Sequence, residues 1–199
     1  MKKQIKEFCT FYNGTGFPIK YQGNSSDKYP FYKVGDISKN VQNGNKILIN
    51  CDNYISDEIA KTIHGTIIPE RTIVFAKIGE AVKLNRRAIT NSSCLVDNNV
   101  IALKPDEDQI DLDYFYYFMK SVDMAKYSNS TTVPSIKKSV LETIYLDIPD
   151  FKDQIKRKNC LNSLTNAINI KKEVLSYLDK AIQSEFIVPT RWSIKWNIA

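Results

Sequence analysis

The sequence predicts an α+β fold with a mixed or antiparallel sheet, followed by a long C-terminal helix of coiled-coil type. Three observations carry this. Short β-branched and aromatic runs, separated by Gly, Pro and Asn turn signals, fill most of residues 1–149. Within that region, Leu112, Phe115, Tyr116, Met119 and Val122 mark one apolar helix face. From Phe151 to Ile187 apolar residues recur at heptad spacing. The division read from these patterns is a domain over 1–149, a helix over 150–187 and a tail over 188–199.

Taken in order, Ile5–Tyr12 reads as a short strand ending at the turn signal Asn13-Gly14-Thr15-Gly16. Residues 20–29 are polar and loop-like. Phe31–Val34 and Lys46–Ile49 read as strands. Ser56-Asp57-Glu58 caps and opens a short helix with Ile59 and Ile63 on its apolar side. Thr72–Ile78 is a β-rich run broken at Gly79, and Val82–Thr90 and Asn99–Leu103 continue as strands. Asp106–Asp113 is an acidic linker leading into a helix, where carboxylates complement the helix dipole. Ser128–Pro134 is a Ser/Thr-rich loop, Leu141–Ile148 a last strand, and Asp150 the N-cap of the long helix.

In that helix Leu161, Ile168, Leu175 and Ile182 recur every seven residues, with Leu164 and Leu178 at the partner positions. Cys160, Ala167, Val174 and Ala181 widen the stripe with small residues that admit a close neighbour. Lys171 and Glu185 fall at core positions of the same heptad, where they either set register or reach solvent over buried stems. Such a rod, roughly 55 Å long, exposes a stripe that requires a partner.

Charge says little about the domain's partner. The net charge is +6, but residues 1–150 hold 19 Lys and Arg against 18 Asp and Glu. No apolar run is long enough for a membrane span, and the MKKQIKEF start lacks the apolar region of a secretory signal. Cys9, Cys51, Cys94 and Cys160 have no C-x-x-C spacing and read as reduced, mostly packed thiols of a cytoplasmic protein. The single histidine, His64, precedes Gly65 and reads as a helix C-terminal cap. Neither a phosphate-binding G-x-x-x-x-G-K-[ST] loop nor a G-x-G-x-x-G turn is present. No catalytic residue and no metal site is therefore assigned. The nearest nuclease pattern, Pro105-Asp106 with Asp150-Phe151-Lys152, leaves a small Mg²⁺-dependent nuclease as an alternative.

Three polar segments are candidates for binding. Lys77 to Arg87 concentrates Lys77, Lys83, Asn85, Arg86 and Arg87 around a turn, suited to phosphates and base edges, with a solvated charged hairpin as the alternative. Ser128–Lys138 brings Thr131, Thr132, Ser135, Lys137 and Lys138. Lys20 and Tyr21, with Lys28 nearby, form the third.

The order of segments resembles one half of the DNA-specificity subunit of type I restriction-modification systems. The resemblance rests on Gly14-Thr15-Gly16-Phe17-Pro18, Tyr29–Ile37, Ile68-Pro69 before Thr72–Gly79, Asn98–Leu103, Asp113–Tyr117, and Leu146–Pro149 running through Asp153-Gln154-Ile155 into the heptad helix. It covers roughly residues 5–187. The family more often has Glu-Gln at the position of Asp153-Gln154, and its usual subunit has two target-recognition domains and two helices. The resemblance implies that residues 1–149 are a target-recognition domain reading one half-site of double-stranded DNA. It also implies that the helix pairs in a homodimer or with another half-subunit, fixing the gap between half-sites. Methyltransferase and restriction/translocase subunits are the expected partners. S-adenosylmethionine, ATP and Mg are expected on those partners, with no cofactor in this chain. A coiled-coil interaction module that reads no DNA is the alternative from a different class.

Overall fold

The β-runs of the first 150 residues pair into three sheets. The computed structural model describes residues 1–129 and 133–186, the side chains of 185 and 186 excepted. Thr131, Thr132, Glu185's side chain and the tail 188–199 lie outside the described residues. The central sheet has the order β2 (Cys9–Asn13), β8 (Val100–Pro105), β5 (Ile73–Ala76), β6 (Arg87–Ile89), antiparallel throughout. A second sheet orders β4 (Tyr54–Ile55), β3 (Tyr29–Tyr32) and β7 (Leu95–Val96), with β3 and β7 parallel. β1 (Lys2–Gln4) pairs antiparallel with β9 (Tyr145–Asp147), tying the chain's start to the approach of the long helix.

Both faces of the central sheet are covered, which explains why β5 is a continuous apolar run. Ile73, Phe75, Ile89, Ile101 and Leu103 face a cluster built on α3 (Leu112–Ser121), including Phe115 and Met119. Their neighbours Val74, Ala88, Val100 and Ala102 point the other way, against Tyr32, Ile37 and Leu48. Successive strand residues alternate sides, so a strand buried on both faces loses its polar alternation.

Helix α1 (Val34–Gln42) escapes the strand-based reading of this region. The Lys33 N–H donates to the Asp36 carboxylate at 2.8 Å, and Gly44 ends the segment at φ 83°. Lys46–Ile49 is not a strand. Its backbone makes one parallel bridge, Ile47 with Ile89, because the buried Asn40 Oδ1 accepts the Ile49 N–H at 3.0 Å. The expected Ile5–Tyr12 strand is interrupted by a 3-10 turn over Ile5–Glu7. Val82–Thr90 narrows to β6, and Leu141–Ile148 splits into α4 (Lys138–Glu142) and β9. Helix α2 (Asp57–Thr62) is capped by Ser56, which accepts from Ile59, and ends at His64 with φ 49°. At Gly14 the backbone meets β7's exit so closely that a Cβ would lie 1.8 Å from Asp97 O.

The chain divides into two compact units, Met1–Lys158 and a second beginning at Asn159. Helix α5 (Phe151–Phe186) starts inside the first. Asp150 accepts the Asp153 N–H at 2.9 Å as its N-cap. One turn on, Gln154 is fully buried. Its Oε1 accepts the Asp111 N–H at 2.8 Å and its Nε2 donates to Pro149 O at 3.0 Å. Lys158 pairs with Asp111 at 2.6 Å. Beyond that point Leu161, Leu164, Ile168, Leu175, Leu178 and Ile182 stand 36 to 60% exposed.

Candidate nucleic-acid interface

β5 and β6 form a hairpin whose long connection, residues 77–86, carries the first group of candidate residues. A 3-10 turn over Glu80–Val82 sinks Val82 into the core and lifts Lys83 to the surface, where it pairs with Glu80 at 2.9 Å. Gly79 precedes this turn at φ 84° and ψ −176°, a conformation that disfavours any side chain. Lys77 is partly buried and donates to Asn13 Oδ1 at 3.2 Å; desolvation lowers its pKa.

The second group lies beside the first. Ile78 and Ser135 form an antiparallel bridge, the Gly79 N–H donates to Pro134 O at 2.8 Å, and the Ile136 N–H to Lys77 O at 2.8 Å. Two segments more than fifty positions apart in the chain are thus joined by backbone hydrogen bonds. Ser135 and Asn129 close the second loop on itself, through Asn129 N–H to Ser135 O at 3.0 Å and Ser135 N–H to Asn129 Oδ1 at 2.8 Å. Next to this lies a depression of about 360 Å³ lined by Lys126, Tyr127, Ser128, Asn129, Ser135 and Lys137, among others. Arg86, Lys126 and Lys137 pair with no carboxylate among the described residues. Lys138 is tied to Glu142 at 3.6 Å and sits over the Phe11 ring. Unpaired cations beside side-chain and backbone hydrogen-bonding groups match the chemistry of a phosphate backbone.

Two of the candidate residues are engaged within the chain, one of them buried. Arg87, read from the sequence as a base-contacting residue, is 1% exposed. Its guanidinium donates to Asn85 O at 2.6 Å, Asn85 Oδ1 at 2.8 Å and Val122 O at 2.9 Å, and lies over the Phe75 ring. Burial lowers its pKa to about 10, which leaves it charged at neutral pH. Asn85 adopts φ 53°; its Nδ2 donates to Lys120 O at 3.1 Å and its Oδ1 also accepts the Met124 N–H at 3.2 Å. The structure leaves neither side chain free for the contact read from the sequence: pairing with Phe75 carries Arg87 into a strand buried on both faces, and the Asn85 amide is engaged with the backbone around it.

Lys20 and Tyr21 lie on a separate 3-10 turn, Ile19–Tyr21, with the Lys20 ammonium over the Tyr21 ring. Gln22 anchors that turn by donating to Phe17 O and accepting from Lys33. Among the described residues, no hydrogen bond, ion pair or ring contact is recorded between Lys20 or Tyr21 and the loop pair. Lys126 and Tyr127 were missed in the sequence, just ahead of the Ser128–Lys138 segment it singled out. Asp123, capping the turn that carries them, was the available signal, since it accepts the Ala125 N–H.

The carboxylates of the nuclease alternative serve as caps. Asp106 accepts from Asp108 N and Gln109 Nε2, and Asp150 caps α5. Among the described residues no group of three or more His, Cys, Asp or Glu is placed to hold a metal ion, and no helix is long and apolar enough to cross a membrane. The four cysteines are free thiols; burial pushes Cys94 up to about 12 and Cys51 to about 11.

No curated protein matches the chain. Solved structures do. A chain from a study of complex assembly and conformational transition of the type I R-M system aligns with a TM-score of 0.69 at 12% identity, over 92% of this chain and 43% of that one. The HsdS subunit from Thermoanaerobacter tengcongensis gives 0.63 at 14% identity, over 87% and 39%. The S subunit of the type I restriction-modification system from M. genitalium gives 0.53 at 15%, over 92% and 41%. The chain therefore spans about two-fifths of the structures it matches, and at these identities the likeness is one of fold. The model of the type I restriction modification DNA specificity domain matches residues 1–180, nearly the whole described chain, and this protein belongs to that family.

Proposed function

We propose that the chain reads one half-site of a bipartite double-stranded DNA sequence on behalf of a type I restriction-modification system. The observation that supports this is the backbone pairing of residues 77–79 with residues 134–136, in segments whose Arg86, Lys126 and Lys137 have no carboxylate partner among the described residues. Arg86 is assigned to base reading, where a bidentate contact with guanine is its favoured role. Lys126, Lys137 and Lys138 are assigned to phosphates, and Lys20 and Tyr21 to a second contact point. The chain performs no bond-making chemistry. It directs S-adenosylmethionine-dependent methyltransferase subunits and an ATP- and Mg-using restriction/translocase subunit, in the cytoplasm. A second copy, or another half-subunit, pairs with α5 through Leu161, Leu164, Ile168, Leu175, Leu178 and Ile182. A symmetric pair would read an inverted repeat with a non-specific spacer.

Selection from a randomised double-stranded DNA pool, with and without the methyltransferase subunit, tests the proposal. Arg86→Ala is expected to weaken binding to the selected sequence by ~1–3 kcal/mol and relax one position. Lys137→Ala is expected to weaken binding to all sequences and reduce the salt slope by about one. Absence of any salt-dependent DNA association, in both settings, would instead favour a coiled-coil interaction module.

A further inference from the structure

We propose that Arg87 and Asn85 are positioning residues that fasten the two loops of the DNA-reading surface into one unit, an inference that rests on the function proposed above. The 77–86 connection is held at both ends to the segment that follows α3. At its N-terminal end the Ile78–Ser135 bridge ties it to residues 134–136. At its C-terminal end Asn85 donates to Lys120 O and accepts from Met124 N, while Arg87 reaches Val122 O. Residues 120–124 and residues 134–136 are therefore both held by one hairpin.

The chemistry of the grip is specific. A buried guanidinium with no carboxylate on it is costly, and an apolar residue would fill the same place in the core. Arg87 is retained among carbonyl and amide oxygens, with its Nε unpartnered and buried. Three donors in a planar fork bind three oxygens drawn from two separate segments, which an aliphatic side chain cannot do. Arg86, adjacent in sequence, is only partly buried and sits between these two anchored residues, which fix the backbone that carries it. Loosening the grip frees Arg86 relative to Lys126 and Lys137 without removing any of them. Cognate selectivity then falls while charge-driven binding persists.

The test uses the full chain and the randomised DNA pool. Asn85→Gly keeps the left-handed backbone without strain and deletes the amide; Arg87→Met deletes the fork. Both are expected to bind random DNA at low salt as the parent does, and to lose about tenfold in preference for the parent's selected sequence, the scale of one base contact. Asn85→Asp keeps the acceptor for Arg87 and Met124 but loses the donor to Lys120 O, and is expected to lose less selectivity than Asn85→Gly. Should Arg87→Met fail to fold, Asn85→Gly carries the test. Folded variants with undiminished selectivity, or with equal loss on selected and random DNA, overturn the positioning role alone. A parent chain that enriches no sequence sinks the DNA-reading proposal and this inference with it.

Discussion

The unit Met1–Lys158 and the helix beyond it treat apolar residues in opposite ways. In the first, Ile73, Val74, Phe75 and Ala76 are all buried, each alternate residue meeting a different cluster within the same chain. In the second, Leu164, Ile168, Leu175 and Leu178 repeat as regularly, yet each keeps more than half of its surface exposed. The difference teaches that periodicity announces which face seeks a partner without saying where the partner is. A globular unit closes on itself because its elements connect through short turns. A 36-residue helix with no return segment among the described residues has none to close upon.

Substitutions that probe burial sharpen this contrast. Phe115 is fully buried, edge-on to Phe8 at 5.5 Å, and Phe115→Ala is expected to cost ~3–5 kcal/mol in chemical denaturation. Gln154→Ala strips the Asp111 N–H of its acceptor at the base of α5 and is expected to cost ~1–3 kcal/mol by the same measurement. A smaller effect is expected at the surface pair of Arg71 and Glu107. Hydrogen bonding from Arg71, then from Lys104, lowers the Glu107 carboxyl from 4.5 to about 2. Its contribution is complete above pH 4.5 and is lost as pH falls towards 2, so Glu107→Gln should flatten the acid limb of a stability–pH profile in that window. The pair is solvent-accessible, and the change is correspondingly modest. Least of all should Leu175→Asp affect the Met1–Lys158 unit, whose unfolding midpoint is expected to move by less than ~0.5 kcal/mol equivalent. Under the pairing proposed for α5, the same substitution should abolish self-association in sedimentation. An unchanged oligomer would break the comparison at the helix.

Legibility followed the range of the interactions involved. The α3 face, the Ser56 cap, the His64 exit and the Asp150 cap are contacts within a turn or two of the chain, and they were readable because their chemistry is local. Helix α1 was passed over because its cap is a carboxylate on Asp36, three residues inside, with Lys33 at the boundary. Lys46–Ile49 has strand composition, but Asn40, from another element, takes the hydrogen bond a strand neighbour would need.

The candidate surface divides in the same manner. That residues 77–87 and 128–138 are polar loops was evident from composition. That backbone hydrogen bonds join them was not, because the pairing of Ile78 with Ser135 depends on where β5 and α3 leave the core. Arg86 and Arg87 are indistinguishable as letters; Arg86 precedes β6 and stays partly exposed, whereas Arg87 pairs with Phe75 in a strand buried on both faces and is 1% exposed. The sequence by itself determined the classes of element, the heptad rod and the exclusion of familiar catalytic motifs, since these follow from short-range spacing. Tertiary structure alone decided which cations stay unpaired, which loops meet and which arginine is buried, since those depend on long-range packing that no local pattern encodes.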